Sequence, residues 1–310
     1  MTNLEEYNEG NPNSAYHFLK ASAGGKLILL VMLALAGSIL LSLFTLILGK
    51  LSGIDITLLM QGQIESSNNN AWFVLRVLLV LNSIMVFIIP AYLYNYISDR
   101  NFLYQYGIEE PKSTNYWPWA FMLFTVSLPL VIASAWANQQ IDLPVWAQQS
   151  EDNINGIIES LLKNNSIPGF IFNIVVMAFL PAVGEEWFFR ASLQRLLSTW
   201  FKKEWIAIIC TGFLFSLLHF QFEGFLPRFI LGMILGLIFS KTKNIWACIL
   251  LHFLFNAIQI TTAFFNIDKL SNMNKEQIPS PNWWIVSLCT IILIYLISSS
   301  SKTNTEVNEY

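Results

Sequence analysis

Leu27–Leu48 reads LILLVMLALAGSILLSLFTLIL, 22 residues without one charged side chain. The hydrocarbon core of a bilayer takes roughly 20 apolar residues as a helix, so this stretch by itself places the chain in lipid. The residues before it, about 1–25, are polar and rich in Asn and Gly. A cleaved signal has a shorter apolar core, roughly 7–15 residues, behind a brief basic start, so the segment is expected to be a retained transmembrane helix.

Composition extends that reading to the whole chain. Of 310 residues, 55% are hydrophobic and 12% charged, with a mean hydropathy of +0.52. Soluble domains carry about 25% charged residues, so disorder and an ordinary soluble enzyme are both excluded. Seventeen basic against twenty acidic residues leave a net charge of −3, which provides no basic surface for phosphate polymers. The partner is membrane lipid, and no nucleic acid is expected. Cys210, Cys248 and Cys289 lie in apolar stretches without CxxC spacing and read as small buried hydrophobes.

Working outward from Leu27–Leu48, further apolar runs occupy about Trp72–Ile97, Trp117–Trp136, Gly169–Trp200, Trp205–Phe222, Pro227–Ser240, Ile245–Phe265 and Trp283–Ser298. All but the short sixth approach spanning length. The fold class is therefore an all-α polytopic transmembrane bundle of about eight spans. The sixth carries Gly232-Met-Ile-Leu-Gly236, a small-xxx-small face that lets two helices approach closely. Trp72, Trp117, Trp119, Trp136, Trp205, Trp283 and Trp284 stand at span ends, as interfacial anchors do.

With the N-terminus inside, Lys20, Lys26, Arg100, Lys112, Arg195, Lys202, Lys203, Lys241, Lys243 and Lys302 fall on the inner side. Only Lys50, Lys163, Arg228, Lys269 and Lys275 fall outside. Basic residues favour the cytoplasm, so both termini are expected there. The resulting layout is a polar cytoplasmic N-terminus (1–25), N-terminal helices with an acidic, partly helical outer loop over Ala137–Pro168 (26–165), a core (166–266), and a last helix with a cytoplasmic tail (267–310). Arg76 lies one turn inside a span and is expected to snorkel.

A charge at mid-bilayer costs roughly 2.5–3.5 kcal/mol or more, so intramembrane ionisable groups need a reason. Three spans hold them: Gly184-Glu185-Glu186-Trp-Phe-Phe-Arg190, Phe215-Ser-Leu-Leu-His219 and His252-Phe-Leu-Phe-Asn256. Glu186 and Arg190, four apart, can neutralise each other. Glu185 is turned about 100° from Glu186 and can face another neighbour. His252 and Asn256 project from one face, and Phe215 can wall His219 from lipid. Helical rise brings Glu185, His219 and His252 to a common depth, while Pro181 interrupts the helix one turn before Glu185.

A carboxylate, two imidazoles and an amide in one dry pocket are the parts of a water-activating hydrolytic site. Glu185 can act as general base, His219 can hold the water, and His252 and Asn256 can donate to an oxyanion. Glu185, His219 and His252 can alternatively hold zinc with an open position for water, and this reading stands beside the metal-free one. A non-proteolytic alternative is a proton-coupled transporter, or an immunity or scaffold protein, that uses the same groups for proton relay or helix ties.

Glu185-Glu186-xxx-Arg190, Phe215-xxx-His219 and His252-xxx-Asn256, in that order, resemble the three motifs of the CPBP family of intramembrane proteases (CAAX proteases and bacteriocin-processing enzymes, also called Abi proteins). Arg228-Phe-Ile-Leu-Gly-Met-Ile-Leu-Gly236 and Thr242-Lys-Asn-Ile-Trp246 resemble the stretch between the last two motifs, and the likeness covers about Phe170–Ala257. The resemblance implies that Glu185 and His219 activate water, that His252 and Asn256 stabilise the oxyanion, and that Glu186 and Arg190 support the first helix. It also implies an eight-helix bundle with a cytosol-facing cavity, and leans modestly toward the glutamate mechanism. Ala191 stands where many relatives have Gly. Eukaryotic members trim prenylated CAAX proteins. Here the Asn-rich termini read as bacterial, which implies a multi-pass protein of the cell membrane acting on a membrane-associated protein or peptide.

Overall fold

The computed structural model describes residues 22–62, 69–98, 116–162, 166–266 and 278–306. Residues 1–21 of the polar N-terminus lie outside the described residues, as do Lys20, Arg100, Lys112, Lys163, Lys269 and Lys275 of the charge count. The described residues are helical without strands. The longer helices are α1 (Ala23–Ser52), α3 (Asn70–Ser98), α4 (Tyr116–Asn138), α6 (Ile167–Phe201), α8 (Phe225–Thr242) and α9 (Ile245–Phe265), each long and apolar enough to cross a membrane. Between and after them come α2 (Ile56–Met60), α5 (Val145–Leu162), α7 (Glu204–Leu217) and α10 (Trp283–Glu306). The chain is a multi-pass membrane protein. Its outer surface accordingly shows lipid-type residues such as Ile28, Leu46, Phe73 and Ile294.

Two of the expected spans are redistributed. The short member is the fifth: α7 ends at Leu217, five residues before the expected Phe222 end, and α8 is the longer at 18 residues. Pro227 is harmless in the first turn of α8, where backbone N–H groups have no helical partner. The end of α7 is a tightened turn. His219 and Phe220 N–H donate to the carbonyls of Ser216 and Leu217, tightening the last turn. Phe220 then takes a left-handed φ of 52°, a conformation costly for an aromatic residue and held only where its surroundings over-determine it.

Helix α6 is interrupted as Pro181 requires. A π segment over Val175–Phe179 precedes it, with Leu180 N–H reaching back to Val175 C=O. Widening the turn by one residue accommodates the missing N–H and the bulk of the ring. A second π segment, Trp187–Gln194, carries Arg190, and α3 has its own at Ser83–Ile88. Gly184 lies against that third segment, where an added Cβ would come within 3.1 Å of Ser83 C=O.

The core divides into two large apolar clusters. One joins α4, α8, α9 and α10 through Leu123, Leu235, Ile238, Leu251 and Leu293. The other joins α1, α3, α6 and α7 through Leu30, Ala91, Phe189, Leu197 and Phe215. Polar ties cross between helices: Asn95 Nδ2 donates to Ser192 Oγ at 2.8 Å. Arg76 is also tied rather than simply snorkelling. Its Nε donates to Asn173 Oδ1 at 3.1 Å, and its guanidinium rests 5.5 Å from the Phe172 ring.

The small-xxx-small face behaves as its spacing predicts. A Cβ on Gly232 would stand 3.0 Å from Gly212 Cα and 3.2 Å from the Phe215 ring. Gly232→Leu is therefore expected to force α7 and α8 apart and lower thermal stability by about 1–3 kcal/mol. Thermal unfolding in detergent checks this, with Gly24→Ala, in open space, as the control.

Candidate active site

Glu185, Glu186, Arg190, Phe215, His219 and His252 converge. Glu185 and Glu186 stand at the end of the α-helical stretch Leu180–Glu186 between the two π segments of α6. His252 sits in the second turn of α9, behind the Asn244 cap. His219 is no longer on a helix but in the turn after α7, and its position relative to Phe215 survives because that turn is tight. The rings of Phe215 and His219 meet edge to face at 4.9 Å. Phe215 also lies 5.7 Å from the His252 ring and 4.9 Å beneath the Arg190 guanidinium. One buried aromatic ring thus spaces both imidazoles and the cation.

Glu185 Oε2 is 3.8 Å from His219 Nε2 and 3.8 Å from His252 Nε2. That oxygen is buried without a protein hydrogen-bond partner. A polar gap of this width, shared by three groups, matches a single bridging water. His219 Nδ1 lies 2.6 Å from Phe215 C=O. A carbonyl can only accept, so the ring proton is on Nδ1 and a neutral His219 presents a lone pair at Nε2.

The second carboxylate has two partners. Glu186 Oε2 pairs with Arg190 Nε at 3.1 Å, as the four-residue spacing predicts, while Oε1 takes His252 Nδ1 at 2.8 Å. Glu186 and Arg190 are both 0% exposed. The His252 bond escaped the sequence reading because it joins residues 66 positions apart, and only the roughly 100° offset between adjacent glutamates hinted that each faces a different neighbour.

Arg190 is completed by Nη2 donating to Gly232 C=O at 3.2 Å. One turn further, Gln194 Nε2 donates to Gly236 C=O at 2.8 Å. The two glycines therefore do more than permit close packing: without side chains they leave their carbonyls open to α6. Asn256 follows His252 by one turn and is half-buried. Among the described residues, no set of three His, Cys, Asp or Glu side chains is arranged to hold a metal ion.

Residues 167–258 match the family described as type II CAAX prenyl endopeptidase Rce1-like. The segment is similar to that family. Its limits nearly coincide with the Phe170–Ala257 likeness read from the three motifs, and the match agrees with the CPBP and CAAX protease resemblance. At the level of that family the activity is that of a CAAX-type intramembrane endopeptidase, whose substrates are membrane-associated proteins. No curated protein and no solved structure matches the chain. The Rce1-like segment takes in α6 to most of α9, and with them all seven residues that the motifs singled out.

Proposed function

We propose that the protein hydrolyses a peptide bond of a membrane-anchored protein or peptide by carboxylate-activated water, with residues 166–266 as the catalytic core. The observation that carries this reading is the partnerless Glu185 Oε2, equidistant from two imidazole Nε2 atoms. Water bound there gives one hydrogen to Glu185 and directs the other to the His219 Nε2 lone pair, which leaves an oxygen lone pair for the substrate carbonyl. As the C–O bond forms, Glu185 takes the proton; as the C–N bond breaks, it delivers that proton to the leaving amine.

The carbonyl oxygen becomes an oxyanion facing His252 and Asn256. With Nδ1–H committed to Glu186, His252 donates from Nε2 only as an imidazolium, and the carboxylates on either side, Glu185 and Glu186, supply its counter-charge. Asn256 adds a neutral N–H donor from the same helix face. Arg190 holds Glu186, which in turn fixes the His252 ring.

The test is release of the C-terminal tripeptide from a farnesylated CAAX peptide by the full chain in phosphatidylcholine vesicles. Asn256→Ala is expected to lower kcat by about 10²–10³-fold, the usual effect of one oxyanion donor, and a zinc chelator to leave cleavage intact. A chelator-sensitive reaction restored by zinc overturns the metal-free mechanism. Proton flux linked to substrate without any cleavage overturns the protease reading.

A further inference from the structure

His219 owes its place to a loop, and that loop is held from outside the Rce1-like segment. Residues 218–224 link α7 to α8, with His219 at one end and Gly224 capping α8 at the other. Glu151 of α5 reaches across to them: Oε1 accepts Glu223 N–H at 3.0 Å, and the side chain is only 4% exposed. One residue before, Ser150 Oγ donates to Phe220 C=O at 3.2 Å, beside His219 at the left-handed position. Trp146, one turn earlier on α5, meets the Phe222 ring edge to face at 5.1 Å. At the end of α4, Asn138 donates to Phe222 C=O and accepts Leu226 N–H, both at 2.8 Å. From within the loop, Gln221 takes both terminal nitrogens of Arg228.

We propose that Glu151 is a positioning residue for catalysis, clamping the 218–224 loop so that His219 Nε2 stays aligned with Glu185; this rests on the proteolytic reading above. The physical reason is economy of contacts. Local bonds from His219 and Phe220 N–H close the end of α7, whereas Phe220 C=O, Phe222 C=O, Glu223 N–H and Leu226 N–H find their partners on α4 and α5, so those helices set where the loop and its left-handed Phe220 lie. A misplacement near 1 Å in a reacting group costs about 10²-fold in rate.

The clamp needs an acceptor more than a charge. Burial, joined by the nearby Glu223, pushes Glu151 above the ordinary carboxylate range, against the Glu223 and Phe222 N–H groups and the Arg228 guanidinium. A carboxyl with a raised folded pKa binds its proton more tightly in the folded state, so stability rises as pH falls through that pKa and is lowest above it. Glu151→Gln keeps the Oε1 acceptor without the charge, and is expected to match or exceed wild-type thermal stability at neutral pH. Glu151→Asp keeps the charge but falls one methylene short.

The experiment compares full-chain wild type, Glu151→Gln, Glu151→Asp and Glu151→Ala in the farnesylated-peptide assay, with amide hydrogen exchange of the loop measured on the same samples. The expected result is kcat near wild type for Gln and reduced about 10²-fold for Asp and Ala, with KM little changed and faster exchange at the Glu223 amide. Wild-type kcat in both Asp and Ala overturns the clamp while leaving the protease intact. If the wild type itself cleaves nothing, the proteolytic reading fails separately. The clamp then stands if Glu223 exchange quickens in Asp and Ala but not Gln, and falls if it is unchanged.

Discussion

Glu185→Gln is expected to remove cleavage of the farnesylated peptide by about 10²–10⁴-fold, the range spanned by a positioned general base, while leaving the helical signal and unfolding temperature unchanged. The substitution preserves shape and one acceptor oxygen, so bound water keeps a place but finds no base. Glu185 Oε2 has no structural partner to lose, and its nearest polar neighbours are imidazole nitrogens at 3.8 Å. The loss should therefore appear in kcat, with little change in KM, because a base acts only as the transition state forms. Full activity in a folded Glu185→Gln protein refutes the mechanism.

Arg190→Met is expected to act first on the fold. Glu186 and Arg190 are both fully buried, and removal of one partner strands the other charge at a cost of about 3–5 kcal/mol. The loss also takes away the bond to Gly232 C=O and the cation above Phe215. Glu186 would then keep only the His252 bond, so the imidazole that faces the oxyanion would shift with it. Thermal unfolding in detergent measures the effect. Pairing Arg190→Met with Glu186→Gln should recover much of the stability but not the activity, since the double variant leaves no charge stranded yet no longer fixes His252 with a carboxylate. Equal stability of wild type and Arg190→Met would show that the pair is not a tie within the bundle.

Local pattern carried a large part of the architecture. Spans such as Leu27–Leu48 and Gly169–Trp200 are legible because lipid removes water as a competing partner for the backbone, which leaves the helix as the chain's local solution. The Glu186–Arg190 pair follows from helical spacing alone, and so does the shared face of His252 and Asn256. The end of α7 was not legible. Nothing between Leu217 and Phe222 marks a stop in composition, and the helix ends where bonds from Asn138 and Ser150, on two other helices, capture the chain.

The amino-acid sequence by itself determined that this is a helical membrane protein, which few residues carry ionisable chemistry inside it, and the family its core resembles. Those properties depend on transfer to lipid and on neighbours three or four residues apart, both of which are written locally. Tertiary structure alone decided that Glu185 stands equally far from two imidazoles, that Glu186 grips His252 as well as Arg190, that Gly232 and Gly236 serve as acceptors, and that Glu151 holds the His219 loop. Each of those contacts joins positions 34 to 72 residues apart, and hydrogen-bond geometry over such separations exists only once packed helices have brought the groups together.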